Sequence, residues 1–139
     1  MDTKINLAVV GSRGMNDFDL LEKEILKLYK IENIKYIVSG GAIGADTLAE
    51  QFANKYSIQT IILKPNWDKI GKSAGLIRNK DIIDTADEII AFWDGESPGT
   101  RNSIYLARKA KKKINIIMFL ETLNNKKINL EKIKEGPLK

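Results

Sequence analysis

The sequence contains no cysteine and no histidine among its 139 residues, and only three prolines. Without cysteine there are no disulfides, no thiolate metal sites and no thiol nucleophile. Without histidine the commonest general base and the commonest zinc ligand are both missing, so a Ser-His-Asp triad is excluded. No apolar run approaches the ~20 residues of a membrane span, and the N-terminal Met1-Asp2-Thr3-Lys4 opens no secretory signal. A cytoplasmic protein without membrane contact is the expectation. What is present is ordinary for one globular domain: 43% hydrophobic and 29% charged residues, enough to build a core.

Net charge is +5, from 23 Lys and Arg against 18 Asp and Glu. Residues 111–139 hold eight Lys and three Glu, which accounts for the whole excess, while residues 1–110 balance at 15 against 15. The positive charge therefore belongs to the C-terminal end. Residues 1–120 read as the domain, and 121–139 as a basic appendage or disordered end whose natural role is a solvated tail. Such a Lys-rich end gives at most weak, salt-sensitive contact with nucleic acid.

Five apolar, β-rich runs punctuate the chain: Ile5–Val10, Ile34–Ser39, Ile58–Leu63, Glu88–Trp93 and Ile114–Leu120. Each is nearly continuous rather than alternating, as in strands buried on both faces of a parallel sheet. Between them the period turns helical, with faces such as Phe18, Leu21, Ile25 and Leu28, or Leu48, Phe52 and Tyr56. Asp17 and Asp46 occupy positions suited to N-caps or first-turn acids. The pattern predicts an α/β, Rossmann-like, three-layer αβα fold with a five-stranded parallel sheet in the order 3-2-1-4-5.

All glycines but Gly136 lie in or beside strand-to-helix connections, and the helix-to-strand returns have none. Relief of turn strain alone would place glycines at both edges of the sheet. One-sided enrichment points to the carboxyl edge, where open α/β folds hold ligands against bare amides and helix N-termini. Three loops carry polar chemistry there. The first is Gly11-Ser12-Arg13-Gly14. The second, Ser39-Gly40-Gly41-Ala42-Ile43-Gly44-Ala45-Asp46, has the makings of a phosphate nest but fits neither the P-loop nor the dinucleotide fingerprint. The third runs from Asp94 through Gly99-Thr100-Arg101-Asn102-Ser103 and gathers hydroxyl, guanidinium and amide groups at a helix start. Arg78-Asn79 lies on the third long helix, where Arg78 either reaches a ligand or pairs with Asp81 or Asp84. Trp67 either stacks on a base or lids the core, and Trp93, at the end of the fourth strand, is expected to be buried.

Val9-Val10-Gly11-Ser12-Arg13, Ser39 to Asp46, Ile77-Arg78-Asn79-Lys80 and Pro98 to Ser103, in this order, resemble the SLOG superfamily of Rossmann-like domains, and most closely its small bacterial and phage YspA-like branch. The superfamily includes the LOG phosphoribohydrolases and the DNA-processing protein DprA. The resemblance implies a nucleotide or nucleotide-derived ligand at the glycine edge, with no cofactor beyond a Mg2+ carried by that ligand and no protein metal site. It also implies homo-oligomerisation, which is usual among such relatives. The residues it puts at the ligand are Gly11, Ser12, Arg13, Ser39, Gly40, Gly41, Gly44, Ala45, Asp46, Arg78, Asn79, Gly99, Thr100, Arg101, Asn102 and Ser103. Two further activities are implied: LOG-like phosphoribohydrolysis of nucleoside 5′-monophosphates and DprA-like binding of single-stranded DNA. For hydrolysis Arg78 resembles the family's helical Arg, whereas Arg101, Asn102 and Ser103 stand where a Glu is wanted. Asparagine cannot serve as a general base, which leaves Asp46 and Asp94 as the carboxylates of that reading.

Overall fold

The computed structural model describes residues 4–121 and 127–129. Its elements follow the expected alternation: β1 (Ile5–Gly11), α1 (Phe18–Leu28), β2 (Ile34–Ser39), α2 (Ala45–Lys55), β3 (Gln59–Ile62), α3 (Trp67–Ile70), α4 (Ala74–Thr85), β4 (Glu88–Trp93), α5 (Pro98–Lys109), β5 (Lys113–Glu121) and β6 (Lys127–Asn129). The five parallel strands are arranged 3-2-1-4-5, the order read from the sequence, and β6 adds an antiparallel strand beyond β5. Register is fixed by pairs such as Leu7 with Ile37, Val9 with Ile90 and Ala91 with Ile116. Apart from Lys127–Asn129, the proposed appendage from residue 122 onward lies outside the described residues.

Alternation within the strands builds two cores. Leu7 and Val9 of β1 point with Ile37, Ile90 and Phe92 toward Leu21, Ile25 and Phe52 of α1 and α2. Ala8 and Val10 point with Val38, Ile89 and Ala91 toward Ile82, Ile83, Ile104 and Ala107 of α4 and α5. Both faces of β1 and β4 are thus apolar because both are covered, which is why these runs show no polar alternation. Each fully buried Leu, Ile or Phe contributes roughly 1.5–3 kcal/mol. β3 departs from this rule: Gln59, Thr60 and Ile62 are exposed, because the strand order leaves β3 at an open edge of the sheet.

Local signals set the helix starts. Asp17 caps α1 by accepting from the Leu20 amide at 3.0 Å. Gly44 begins α2 with φ +88° and ψ −131°, a backbone region closed to residues with a Cβ. Lys112 Nζ donates to the carbonyls of Ile83 and Ala86, both at 2.7 Å, and so ties off the end of α4. The winding direction reverses between β1 and β4, and the loops after those two strands open a crevice there.

Candidate nucleotide-binding cavity

A cavity of about 620 Å³, a volume typical of small-molecule sites, lies at that reversal point. Its floor is the end of β1 and the following loop, Val10 to Gly14. One side is formed by Asp94 and the start of α5, from Ser97 to Thr100. The other is formed by Ala42, Ile43 and Asp46 from the β2–α2 connection and by Trp67, Leu76, Arg78 and Asn79. The crevice is held open by cross-links between its loops. The Ser12 amide donates to the Phe92 carbonyl at 2.9 Å, the Asp94 amide to Ser12 Oγ at 3.2 Å, and the Ala45 amide to the Ser12 carbonyl at 3.3 Å.

Of the residues expected at the ligand, Gly11, Ser12, Arg13, Asp46, Arg78, Asn79, Gly99, Thr100 and Ser103 line this cavity, as does Asp94. Ser39, Gly40, Gly41, Gly44, Ala45, Arg101 and Asn102 do not. Ser39 is fully buried beneath its loop, its Oγ between the Asp46 carbonyl and the Gly41 amide at 3.4 Å each. Gly40 lies so close to the Arg78 guanidinium that a Cβ there would collide with Arg78 Nη1. Gly44 and Ala45 brace the first loop from behind. Arg101 turns outward over the Trp93 ring, 5.4 Å from its centroid, and Asn102 tucks its Nδ2 into the protein without a hydrogen-bond partner. Trp93 is 1% exposed, in agreement with its expected burial, and its Nε1 donates to the Ser97 carbonyl at 3.1 Å. The apolar lining from Ile43 and Leu76 was missed in the sequence: Ile43 lies within the second glycine loop, but that both side chains stand exposed at the cavity is visible only in the folded chain.

The three arginines do not converge as a set. Arg78, half-buried, donates from Nη1 to the Gly40 carbonyl at 2.7 Å and from Nε to Asn79 Oδ1 at 3.0 Å, instead of pairing with Asp81 or Asp84. Asp84 pairs with Lys80. Burial lowers the Arg78 pKa, Asp46 raises it and Arg13 lowers it further, so Arg13 and Arg78 are electrostatic neighbours. Arg78 thereby joins the β2 end to α4.

The two carboxylates differ. Burial drives the Asp46 pKa from its ordinary 3.8 up to about 6, against the opposing pull of the Ala42 amide, at 3.1 Å from Oδ2, and the Arg78 charge. Burial would also raise Asp94, but it accepts hydrogen bonds from the amides of Ser97 and Glu96 and from Ser97 Oγ, at 2.8–2.9 Å, and these hold its pKa below the usual value. Asp94 is consumed by its own turn. Because Ser97 Oγ serves Asp94, the N-cap of α5 makes no side-chain capping bond, and the first-turn amides of a helix have no acceptor within it. Among the described residues no group of three or more Asp and Glu forms a metal cluster, and no helix is long and apolar enough to cross a membrane.

Asp46 makes stability depend on pH. With its folded pKa above the unfolded value, the native state binds the extra proton between about pH 4 and 6. The favourable contribution of this group is complete below pH 4 and lost as pH rises through 6. Asp46→Asn, whose amide oxygen still accepts from Ala42, should therefore gain stability relative to the wild type on going from pH 4 to 7, by up to roughly 3 kcal/mol. Urea unfolding of both proteins across that range measures it, and parallel curves would refute it.

Residues 5–70 match the model of the YspA, cpYpsA-related SLOG family, so the resemblance read from the motifs holds for the first half of the chain. Solved structures with a similar fold include DNA processing protein A (DprA) from Streptococcus pneumoniae, with a TM-score of 0.67 and 23% identity over 81% of this chain and 50% of that one. DprA from Helicobacter pylori, in a structure describing its single-stranded DNA binding mode, gives 0.62 and 24% over 83% of this chain and 66% of that one. The chain thus spans about half to two thirds of these relatives' length. No curated protein sequence matches it significantly.

Proposed function

We propose that the protein binds a phosphorylated nucleoside or nucleotide-derived ligand in this cavity, with the phosphate at the start of α5 beside Arg13. The observation that carries the reading is the cavity's position: it lies at the reversal of strand order, between the β1 loop and a helix N-terminus that lacks a side-chain cap. Amides and helix dipole there favour an anion, and Arg13 and Arg78 add charge from two directions. Ser12, Thr100 and Ser103 offer hydroxyls to a ribose or phosphate. A Mg2+ carried on the ligand's phosphates belongs to the same reading.

Gly99 supplies the test. It lines the cavity, and a Cβ added there meets nothing within 4 Å, so Gly99→Asp fits without disturbing the fold. An acid in the first turn of α5 stabilises the helix by about 0.3–1 kcal/mol while repelling an anionic guest. Thermal melts with a panel of nucleotides should show a ligand-dependent rise for the wild type. Gly99→Asp should melt at the same temperature or higher when unliganded, and its affinity should fall at least tenfold. No shift with any nucleotide, or an undiminished shift in Gly99→Asp, would overturn the reading.

A second reading, hydrolysis of the N-glycosidic bond of a nucleoside monophosphate, is favoured by one feature. Asp46 is a cavity carboxylate with its pKa raised toward neutrality beside Arg78. Release of free base on incubation, lost in Asp46→Asn, supports this reading; a nucleotide recovered intact leaves binding alone.

A further inference from the structure

We infer that the cavity recognises its ligand by a planar aromatic ring as well as by an anion, and that Trp67 is the residue that selects for the ring. The inference rests on the proposed binding role of the cavity and names the residue that selects among its anionic ligands.

Three large hydrophobic side chains stand exposed around one side of the cavity: Ile43 at 68%, Leu76 at 57% and Trp67 at 53%. Leaving a tryptophan half in water forfeits burial that a monomer would otherwise exploit, so an apolar group of this size at a cavity wall marks a surface meant to be covered. Trp67 is also held in place. It opens α3 after a four-residue connection from β3, and its ring lies against the first turn of α4, where a Cβ on Gly75 would come within 3.3 Å of Cη2. Glycine at 75 lets the ring lie close to the helix backbone while its free surface borders the cavity.

The apolar wall and the anion-favouring wall meet on α4: Asn79 Nδ2 donates to the Gly99 carbonyl at 3.4 Å, one helical turn beyond the Gly75 against which Trp67 lies. Ring-binding and anion-binding surfaces are therefore side by side in one cavity. A nucleoside phosphate has an aromatic ring at one end and charge at the other, which matches the two walls. Stacking on an aromatic side chain tolerates any base, because every base has a π-face, so Trp67 selects for a ring without choosing among bases.

The test uses the full chain with the four ribonucleoside 5′-monophosphates and with ribose 5-phosphate as the ringless control. Trp93 is buried, so acrylamide reports on Trp67. A bound nucleoside monophosphate should shield Trp67 from acrylamide, Trp67→Ala should weaken its binding about tenfold or more, and Trp67→Phe should restore most of the loss. Ribose 5-phosphate affinity should be unchanged in both variants. Nucleoside monophosphates that bind Trp67→Ala as well as wild type, or a Trp67 that stays equally quenchable, would overturn the inference and leave the cavity reading standing. An equal loss of ribose 5-phosphate binding in Trp67→Ala would assign the residue to the fold instead. Binding of neither compound to the wild type would defeat the cavity reading and the inference together.

Discussion

Gly44→Ala should lower the melting temperature by about 15 °C, close to the limit of what a domain of this size tolerates. Gly44 adopts φ +88° and ψ −131°, and a Cβ there would lie 2.5 Å from the Arg13 carbonyl oxygen and 2.6 Å from the Ser12 carbonyl oxygen. These are backbone atoms of the first cavity loop, which cannot rotate away as a side chain could. Backbone strain of about 1–3 kcal/mol adds to an overpacking cost of similar size, for a sum near ~4 kcal/mol against a total stability of about 5–15 kcal/mol. At about 4 °C per kcal/mol this gives the stated drop. Gly71 is the internal control. It also has a positive φ, +77°, but nothing lies within 4 Å of its would-be Cβ, so Gly71→Ala should show only the conformational part, about 1 kcal/mol. Calorimetry on both variants decides the matter, and equal losses would remove the steric argument.

Arg78→Ala should weaken ligand binding by about a hundredfold and should cost about 2 kcal/mol of stability. Removing the guanidinium leaves the Gly40 carbonyl without its charged donor and deprives the buried Asp46 carboxylate of its nearest favourable charge. An orphaned polar group of this kind is worth about 1–3 kcal/mol. The Asp46 pKa should climb further above 6 in the variant, and the pH range over which the protein loses stability should move upward with it. Arg78→Lys would not rescue: a single ammonium cannot serve both the Gly40 carbonyl and Asn79 Oδ1 from the planar fork that Arg78 uses. Because Arg78 both joins the loops and faces the cavity, chemical denaturation must accompany each binding measurement. Full affinity in Arg78→Ala would confine the residue to that bracing role.

The sheet order was legible because the apolar runs and their helical spacers are long and strongly periodic. The carboxyl edge was legible because glycines gather on one side only. The purpose of each glycine was not. Gly11, Gly40 and Gly44 are small so that chains can pass close to one another, whereas Gly99 borders open space, and composition cannot distinguish these demands. Arg101 illustrates the same limit. Its motif placed it at the ligand, but its position on α5 lets it lie over Trp93 at the end of β4, a contact visible only once strand and helix are packed. The run Ile58–Leu63 reads as one more buried strand, yet the order 3-2-1-4-5 already puts β3 at an edge of the sheet, and its Gln59 and Thr60 are exposed there.

At the opposite side, β6 takes up the backbone groups that β5 would otherwise present through Phe119, Leu120 and Glu121. A polypeptide shortened to remove the lysine-rich terminus would lose this partner along with the charge, baring a row of amides and carbonyls that can template association with another chain. Charge at this terminus is better neutralised in place, lysine by lysine to glutamine, so that aggregation is not mistaken for an electrostatic effect.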